Sequence, residues 1–302
     1  GLILPSDSNS LVQVDRGLGT QNIVLNLGPI SQRLGGTLRF VLPAGTQSAV
    51  NGITTTTRND LFTGLVGTLG AAATVTDGAG VTSFATRVGT NIVPVSAISR
   101  DAIAGILNGE NITDVSGFTG TTLNVSAPIT VRFGAAGTSV LSIPDGGILK
   151  VISGGILRTA DAGVATVAVS GVSTTAGSAS VTLASTAGLL AGMPVSGPGI
   201  PAGTRIVGVV DATNLLLSNA ATATAASVSL NAGAITVIQG GTLSSPTREL
   251  IISSFTRDFA AGAVGDAESY YPVQRLVITS SIDGQQGITK TGDGTLVLRA
   301  GS

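Results

Sequence analysis

Asp266 and Glu268 stand two residues apart, just ahead of a tyrosine pair, Tyr270-Tyr271, and shortly after Arg257-Asp258. This is the one local gathering of acids, a base and aromatic side chains in the chain. Two or three carboxylates with a basic neighbour on one face can run acid–base chemistry on a glycosidic bond. Tyrosine faces add a surface on which a sugar ring can stack. The stretch Phe255–Pro272 thus has a sharp reading as a glycan-binding or catalytic patch built on Asp266, Glu268, Tyr270 and Tyr271. Its simpler reading is a solvated surface loop with aromatic anchors.

Other chemistries are excluded by composition. Histidine and cysteine are absent, so no Ser-His-Asp triad, histidine metal site, disulfide or thiolate metal site can be built from this chain. There is no Gly-Lys-Ser/Thr phosphate loop, and Gly197-Pro198-Gly199 lacks the spacing and the flanking βαβ unit of a dinucleotide site. Asp77, Asp145 and Asp293 each precede a glycine and read as turn residues, outside any calcium-type Asp-x-Asp-x-Asp cluster. Asn111-Ile112-Thr113 and Asn124-Val125-Ser126 are glycosylation sequons in form only. The expectation is a chain with no catalytic residues, no cofactor and no metal.

The elements that would position any site are short strands. Charged residues are 10% of the 302, against roughly 25% in ordinary globular proteins. Hydrophobic residues are 43% with only 3% aromatic, mean hydropathy is +0.50, and there are 43 glycines. That is a composition of Val, Ile, Leu and Thr strands between glycine turns, apolar enough to fold. No apolar run approaches the roughly 20 residues of a membrane helix. Net charge is −1 with no basic patch, so nothing argues for nucleic acid. Gly1 opens the chain and Met193 is its only methionine, so a processed product or a piece of something longer is expected.

Residues 1–20 read as an arm with one alternating strand, Leu11–Asp15, after a loose polar opening. Residues 21–165 carry Ile23–Gly28, Gly35–Pro43 and an Asn51-Gly52 turn before four threonines, Thr54 to Thr57. Ser99–Asn108 alone has a helical rhythm, with Ile103, Ile106 and Leu107 at i, i+3, i+4 and Ser99 placed to cap, so one short helix is expected there as readily as none. Asp145-Gly146-Gly147-Ile148-Leu149 is echoed eight residues later by Ser153-Gly154-Gly155-Ile156-Leu157, then by Gln239-Gly240-Gly241-Thr242-Leu243 and Asp293-Gly294-Thr295-Leu296. Strands ending at such glycine corners fit a coiled β-solenoid, each corner turning the chain onto the next face. Residues 166–230 break that pattern with about six short alternating strands, a small β-sandwich or barrel. Residues 231–302 resume it.

Two resemblances sharpen this reading. Ile288-Thr289-Lys290-Thr291-Gly292-Asp293-Gly294-Thr295-Leu296-Val297-Leu298 resembles the "L-T-K-T-G-x-G-T-L-x-L-S-G" signature of the autotransporter-associated β-strand repeat, and Gly36–Thr57 resembles an earlier part of such repeats. Leu189–Thr204 resembles "L-x-x-G-M-x-V-S-G-x-G-I-P-x-G-T", the mark of a small β module of bacterial surface and phage tail proteins. The resemblances imply an all-β fold: a right-handed parallel β-helix (solenoid) with an inserted small β-sandwich or barrel domain projecting from one corner. They imply a secreted protein of the bacterial cell surface that acts as a structural stalk or filament segment, its partner a second copy end to end. One alternative is an adhesin binding a glycan or surface through residues 166–230. Another is a polysaccharide-active enzyme using the Asp258–Tyr271 loop.

Overall fold

The computed structural model describes residues 1–59, 68–95, 98–99, 103–104, 111–114, 118–119, 125–245, 248–256, 275–284 and 286–299. The described residues form strands without a helix. None is therefore part of a helix long and apolar enough to cross a membrane.

Parallel pairing begins at once. Leu2–Leu4 lies on Ile30–Gln32, Asn9–Gln13 on Thr37–Val41, and Val24–Asn26 on Gly52–Thr54. Leu2 pairs with Ile30, Asn9 with Thr37 and Val24 with Gly52, so all three pairs share one offset of 28 residues. Thr37–Val41 then pairs in parallel with Ala73–Thr76, which turns back through Thr82–Val88 and Asn91–Pro94 as an antiparallel meander. Strand alternation sends Leu38 and Phe40 into a core with Ile53, Val75, Ala85 and Ile92. Thr37 and Arg39 face the other way.

The middle of the molecule is two wholly parallel sheets. The first stacks Ile98–Ser99, Asn111–Thr113, Thr130–Phe133, Gly155–Arg158, Leu250–Ser254 and Ile288–Thr291 in that order. The second stacks Val125–Ser126, Ser139–Lys150, Thr236–Ser245, Arg275–Ile278 and Thr295–Leu298, with Ser281–Gly284 also on Thr236–Ser245. Between them lies a core with Ile112, Val131, Ile156 and Ile252 from the first sheet and Leu141, Leu149, Ile238, Leu243, Leu276 and Ile278 from the second. Each such side chain contributes roughly 1.5–3 kcal/mol on burial, which lets aliphatic ladders stand in for aromatics.

Residues 166–233 are antiparallel throughout, in the strand order 195–196, 225–233, 166–174, 180–182, 214–217, 206–209. Thr166 pairs with Gly233, so the chain leaves and returns at one point. Its apolar interior, which includes Val172, Val181, Leu189 and Met193, runs without a break onto Ile235, Val237 and Val277 of the second parallel sheet. The outer face of the first parallel sheet is covered in turn by the N-terminal strands. Phe84 and Val95 meet Leu157 and Phe255, Ala71 and Ala72 meet Ile251, and the Arg39 guanidinium sits 4.7 Å over the Phe255 ring. Both parallel sheets are thus buried on both faces, as their near-continuous apolar runs require.

Two readings that the sequence left open are decided where the residues are described; Ile106 and Leu107 of the first lie outside them. The passage Ser99–Asn108 is not a helix where it is described: Ile98–Ser99 and Ile103–Ala104 are strands on Ile112-Thr113 and Phe118-Thr119. Parallel partners supply the backbone bonds that the 3.6-residue rhythm had assigned to a helix. The opening residues are not loose either, because Leu2–Leu4 is a paired strand with Leu4 buried.

Candidate functional site

Asp266, Glu268, Tyr270 and Tyr271 lie outside the described residues, as do Arg257 and Asp258. Their described flanks are Thr256, whose amide bonds the Asp293 carboxylate at 2.9 Å, and Arg275, which begins a strand of the second parallel sheet. Of the three aspartates read as turn residues, Asp77 accepts from the amides of Ala79 and Val81, and Asp293 holds Thr256. Among the described residues no three acidic side chains gather to hold a metal ion.

What the described residues do assemble is a groove of about 860 Å³ on one corner of the second parallel sheet. It crosses three successive layers: Ser142–Asp145, Gln239–Gly241 and Thr279–Ser281, with Arg299 at one end. Register explains the assembly. Ser142 stands opposite Gln239 and Ile143 opposite Gly240, while the Thr279 amide bonds Ile238 O at 2.8 Å. Side chains at equivalent corner positions therefore form a column spaced by the roughly 4.8 Å between strands.

The glycines shape the floor. Gly240 has φ +74°, and a Cβ there would sit 2.2 Å from Ile143 O. No other residue fits, and its lack of a side chain leaves the groove open. Gln239 Nε2 donates to Ser142 Oγ at 3.1 Å, which fixes one wall. Ser280 is 6% exposed, and its buried hydroxyl oxygen has no hydrogen-bond partner. Asp145 supplies one negative charge and Arg299 one positive.

Arg299 is not an isolated charge. It and Arg205 lower the affinity of the Arg275 guanidinium for its proton, adding to burial as the main cause, and bring it to about 10. Burial, with Arg299 second, also depresses Arg205. Guanidiniums from residues 166–233, from Arg275–Ile278 and from the residue after Thr295–Leu298 thus lie within electrostatic reach of one another. The Nε of Arg205 is buried without a hydrogen-bond partner.

Sequence reasoning missed Ser280, Gln239, Ser142 and Arg299. A signal existed in the polar residues that precede Gly-Gly, Asp145 and Gln239, but only strand register shows that those corners stack.

A second exposed feature is the edge at Ile288–Thr291 and Thr295–Leu298. Ile288 pairs with buried Leu250 and Leu298 with buried Ile278, yet Ile288 is 42% and Leu298 52% exposed. The aliphatic ladders of the core reach this edge uncovered.

No protein-family model matches the chain, and neither a curated protein nor a solved structure does so.

Proposed function

We propose that the chain is a structural segment of a bacterial surface protein. In this reading it is a right-handed β-solenoid of the autotransporter-associated type that carries residues 166–230 as an inserted β module and joins copies end to end without catalysis. The offset of 28 residues shared by three strand pairs is what one turn of a three-faced coil would give, and it supports the solenoid. Handedness, secretion and the bacterial surface rest on the sequence resemblance alone.

The observation that carries the assembly reading is the exposed edge at Ile288–Thr291, which suits either a further repeat of the solenoid or the end of a second copy. Beyond Ile288–Thr291 the first sheet offers backbone groups and the apolar side chain of Ile288 to a further parallel strand. The N-terminal strands favour the same place. Their order, Asn9–Gln13, Thr37–Val41, Ala73–Thr76, Thr82–Val88, runs against the order Ile288–Thr291, Leu250–Ser254, Gly155–Arg158, Thr130–Phe133. Three contacts fix this: Thr37 Oγ1 touches Thr291 Oγ1 at 3.2 Å, Phe84 meets Leu157, and Arg132 Nε bonds Thr82 O at 2.9 Å. Asn9–Gln13 therefore overhangs the last strand. Leu11, in register with Arg39, points the way Arg39 does and is 60% exposed. A strand added to Ile288–Thr291 would cover it.

Electron microscopy with sedimentation mass tests the reading. Fibres that grow with concentration are expected, and Ile288→Lys with Leu298→Lys should return them to single copies. Monomers at every concentration would overturn it.

An adhesive role is the second reading, and the polar groove beside residues 166–233 favours it. The enzymatic reading would rest on Asp258–Tyr271, which lies outside the described residues.

A further inference from the structure

We propose that the exposed edge at Ile288–Thr291 takes a second copy of the chain turned by a two-fold axis along the strands. Asn9–Gln13 of each copy then adds in parallel to Ile288–Thr291 of the other. This rests on the end-to-end reading and gives that joint its partner surface and its symmetry.

Two open edges stand side by side at one end of the molecule. Among the described residues Asn9–Gln13 is the outermost strand of its sheet and Ile288–Thr291 the outermost of the first parallel sheet. Thr37, one strand in from Asn9–Gln13, already reaches Thr291. The end is therefore a step, with Asn9–Gln13 proud and Ile288–Thr291 recessed. A step is complementary to itself under a two-fold turn, which sets the proud strand of each copy over the recessed strand of the other. Both edges gain a neighbour at once.

Strand direction fits. Gly35 N bonds Glu249 Oε2 at 3.0 Å, just ahead of Thr37–Val41 and Leu250–Ser254, and further along Arg39 lies over Phe255. These two strands run the same way, and so do their parallel neighbours Asn9–Gln13 and Ile288–Thr291. An axis along the strands keeps that direction, so the new pairs are parallel, like every pair in the first parallel sheet. The corners fit as well. Leu2 and Asn9 begin strands seven residues apart, and Ser281 and Ile288 begin strands seven apart. Leu2–Leu4 thus falls on Ser281–Gly284 of the other copy. The same turn sets core on core, because Leu4 and Val12 belong to the N-terminal core and Ile282 packs on the central one.

The axis passes between the two copies of Asn9–Gln13. Leu11 points towards it, as Arg39 points towards Phe255, and is exposed. A turn about an axis along the strands moves no residue along them, so Leu11 of one copy meets Leu11 of the other. Longer assemblies built through this joint alternate in polarity.

Cross-linking of the full chain tests the symmetry. Cysteine is absent, so Leu11→Cys gives one thiol per copy for a short bismaleimide linker, suited to facing sheets about 10 Å apart. This variant should cross-link into pairs at dilute protein, and Val207→Cys, exposed on residues 166–233, should not. Leu11→Glu and Leu11→Arg should each weaken pairing in sedimentation by about a hundredfold or more, because like charges then face each other across the axis. Mixing these two variants should restore pairs, which a joint between two different surfaces would not do. Leu11 is exposed, so an unchanged melting temperature will show that the fold is kept. Absence of the Leu11→Cys cross-link, or of rescue on mixing, would overturn the two-fold joint. Fibres that still grow in that case would keep the end-to-end reading with another joint. Pairs that never grow would keep the two-fold joint and remove the fibre. Copies that stay single at every concentration would overturn both and leave the edge to a further repeat of the solenoid.

Discussion

Arg158 is fully buried, donating from Nη1 to Phe255 O at 2.7 Å and from Nη2 to Ala162 O, while its Nε has no hydrogen-bond partner. Burial lowers its pKa to about 10, with Asp293 pulling the other way. Below pH 10 the group is charged in the folded and unfolded chains alike, and keeping that charge buried costs about 3 kcal/mol. Above pH 10 the folded chain gives up its proton first. The unfolded chain then binds more protons, so this contribution raises stability with pH. Arg158→Met removes the buried charge but orphans two carbonyls, and these effects partly cancel. The variant should lose about 1–2 kcal/mol in urea titrations at pH 7, and the gap to the parent should widen by about 2–3 kcal/mol towards pH 12. A gap independent of pH would mean that the guanidinium is hydrated. Nothing in the sequence marked this residue, because an arginine in an alternating strand reads as solvent-facing. Asn51 was legible only as a turn. It is also a buried hub that accepts from Arg16 Nε at 3.2 Å and donates to Ala44 O and Thr46 O.

Among the elements, the glycine corners were readable and their partners were not. The eight-residue echo places Asp145–Val151 and Ser153–Thr159 on different sheets. The strand that stacks on Ile148-Leu149 is Thr242-Leu243, and the strand on Gly155–Arg158 is Ile251–Ser254. Period alone reports a chain turning onto a new face, while the stacking distance depends on what intervenes. Gly155 is a glycine for another reason. A Cβ there would lie 2.8 Å from Phe84 Cε1 and 3.2 Å from the Ala71 Cβ, between two packed sheets. Gly155→Ala should therefore cost about 1–3 kcal/mol through overpacking, measured as a lower urea midpoint. Phe84→Leu in the same background should recover part of it, and a neutral Gly155→Ala would show that the sheets can separate.

The terminal strand carries a contrary device as well as an inviting edge. Leu250 N bonds Gly287 O, which turns the amides of Ile288 and Lys290 away from the strand below. Lys290 stands opposite buried Ile252, so its charge sits where the aliphatic ladder would continue, with Nζ tied back to Gly292 O. Charges pointing inward at an edge are a known guard against strand addition. Two variants weigh invitation against guard. Lys290→Pro removes only an outward amide and should abolish fibres while leaving the melting temperature within a few degrees. Lys290→Leu should lengthen fibres or form them at lower concentration. If neither moves the sedimentation profile, this edge is not the joint.

For the whole molecule, the sequence led to an inserted domain projecting from one corner of a stalk, and its apolar interior runs on into the second parallel sheet. All-β class, parallel stacking and the antiparallel break at residues 166–230 were legible from composition, glycine corners and strand spacing. What was hidden is that both central sheets have two buried faces. The alternation in Ile235-Thr236-Val237-Ile238 shows it in hindsight: Ile238 enters one core while Ile235 and Val237 enter the other. Removing Thr166–Leu230 would bare Ile235, Val237 and Val277 along one sheet, at roughly 1.5–3 kcal/mol for each side chain returned to water. The truncated chain should unfold at lower urea and bind hydrophobic dyes, and Val237→Thr with Val277→Thr should restore its solubility without restoring its stability. A truncation as stable as the parent would mean that residues 166–230 fold and dock independently.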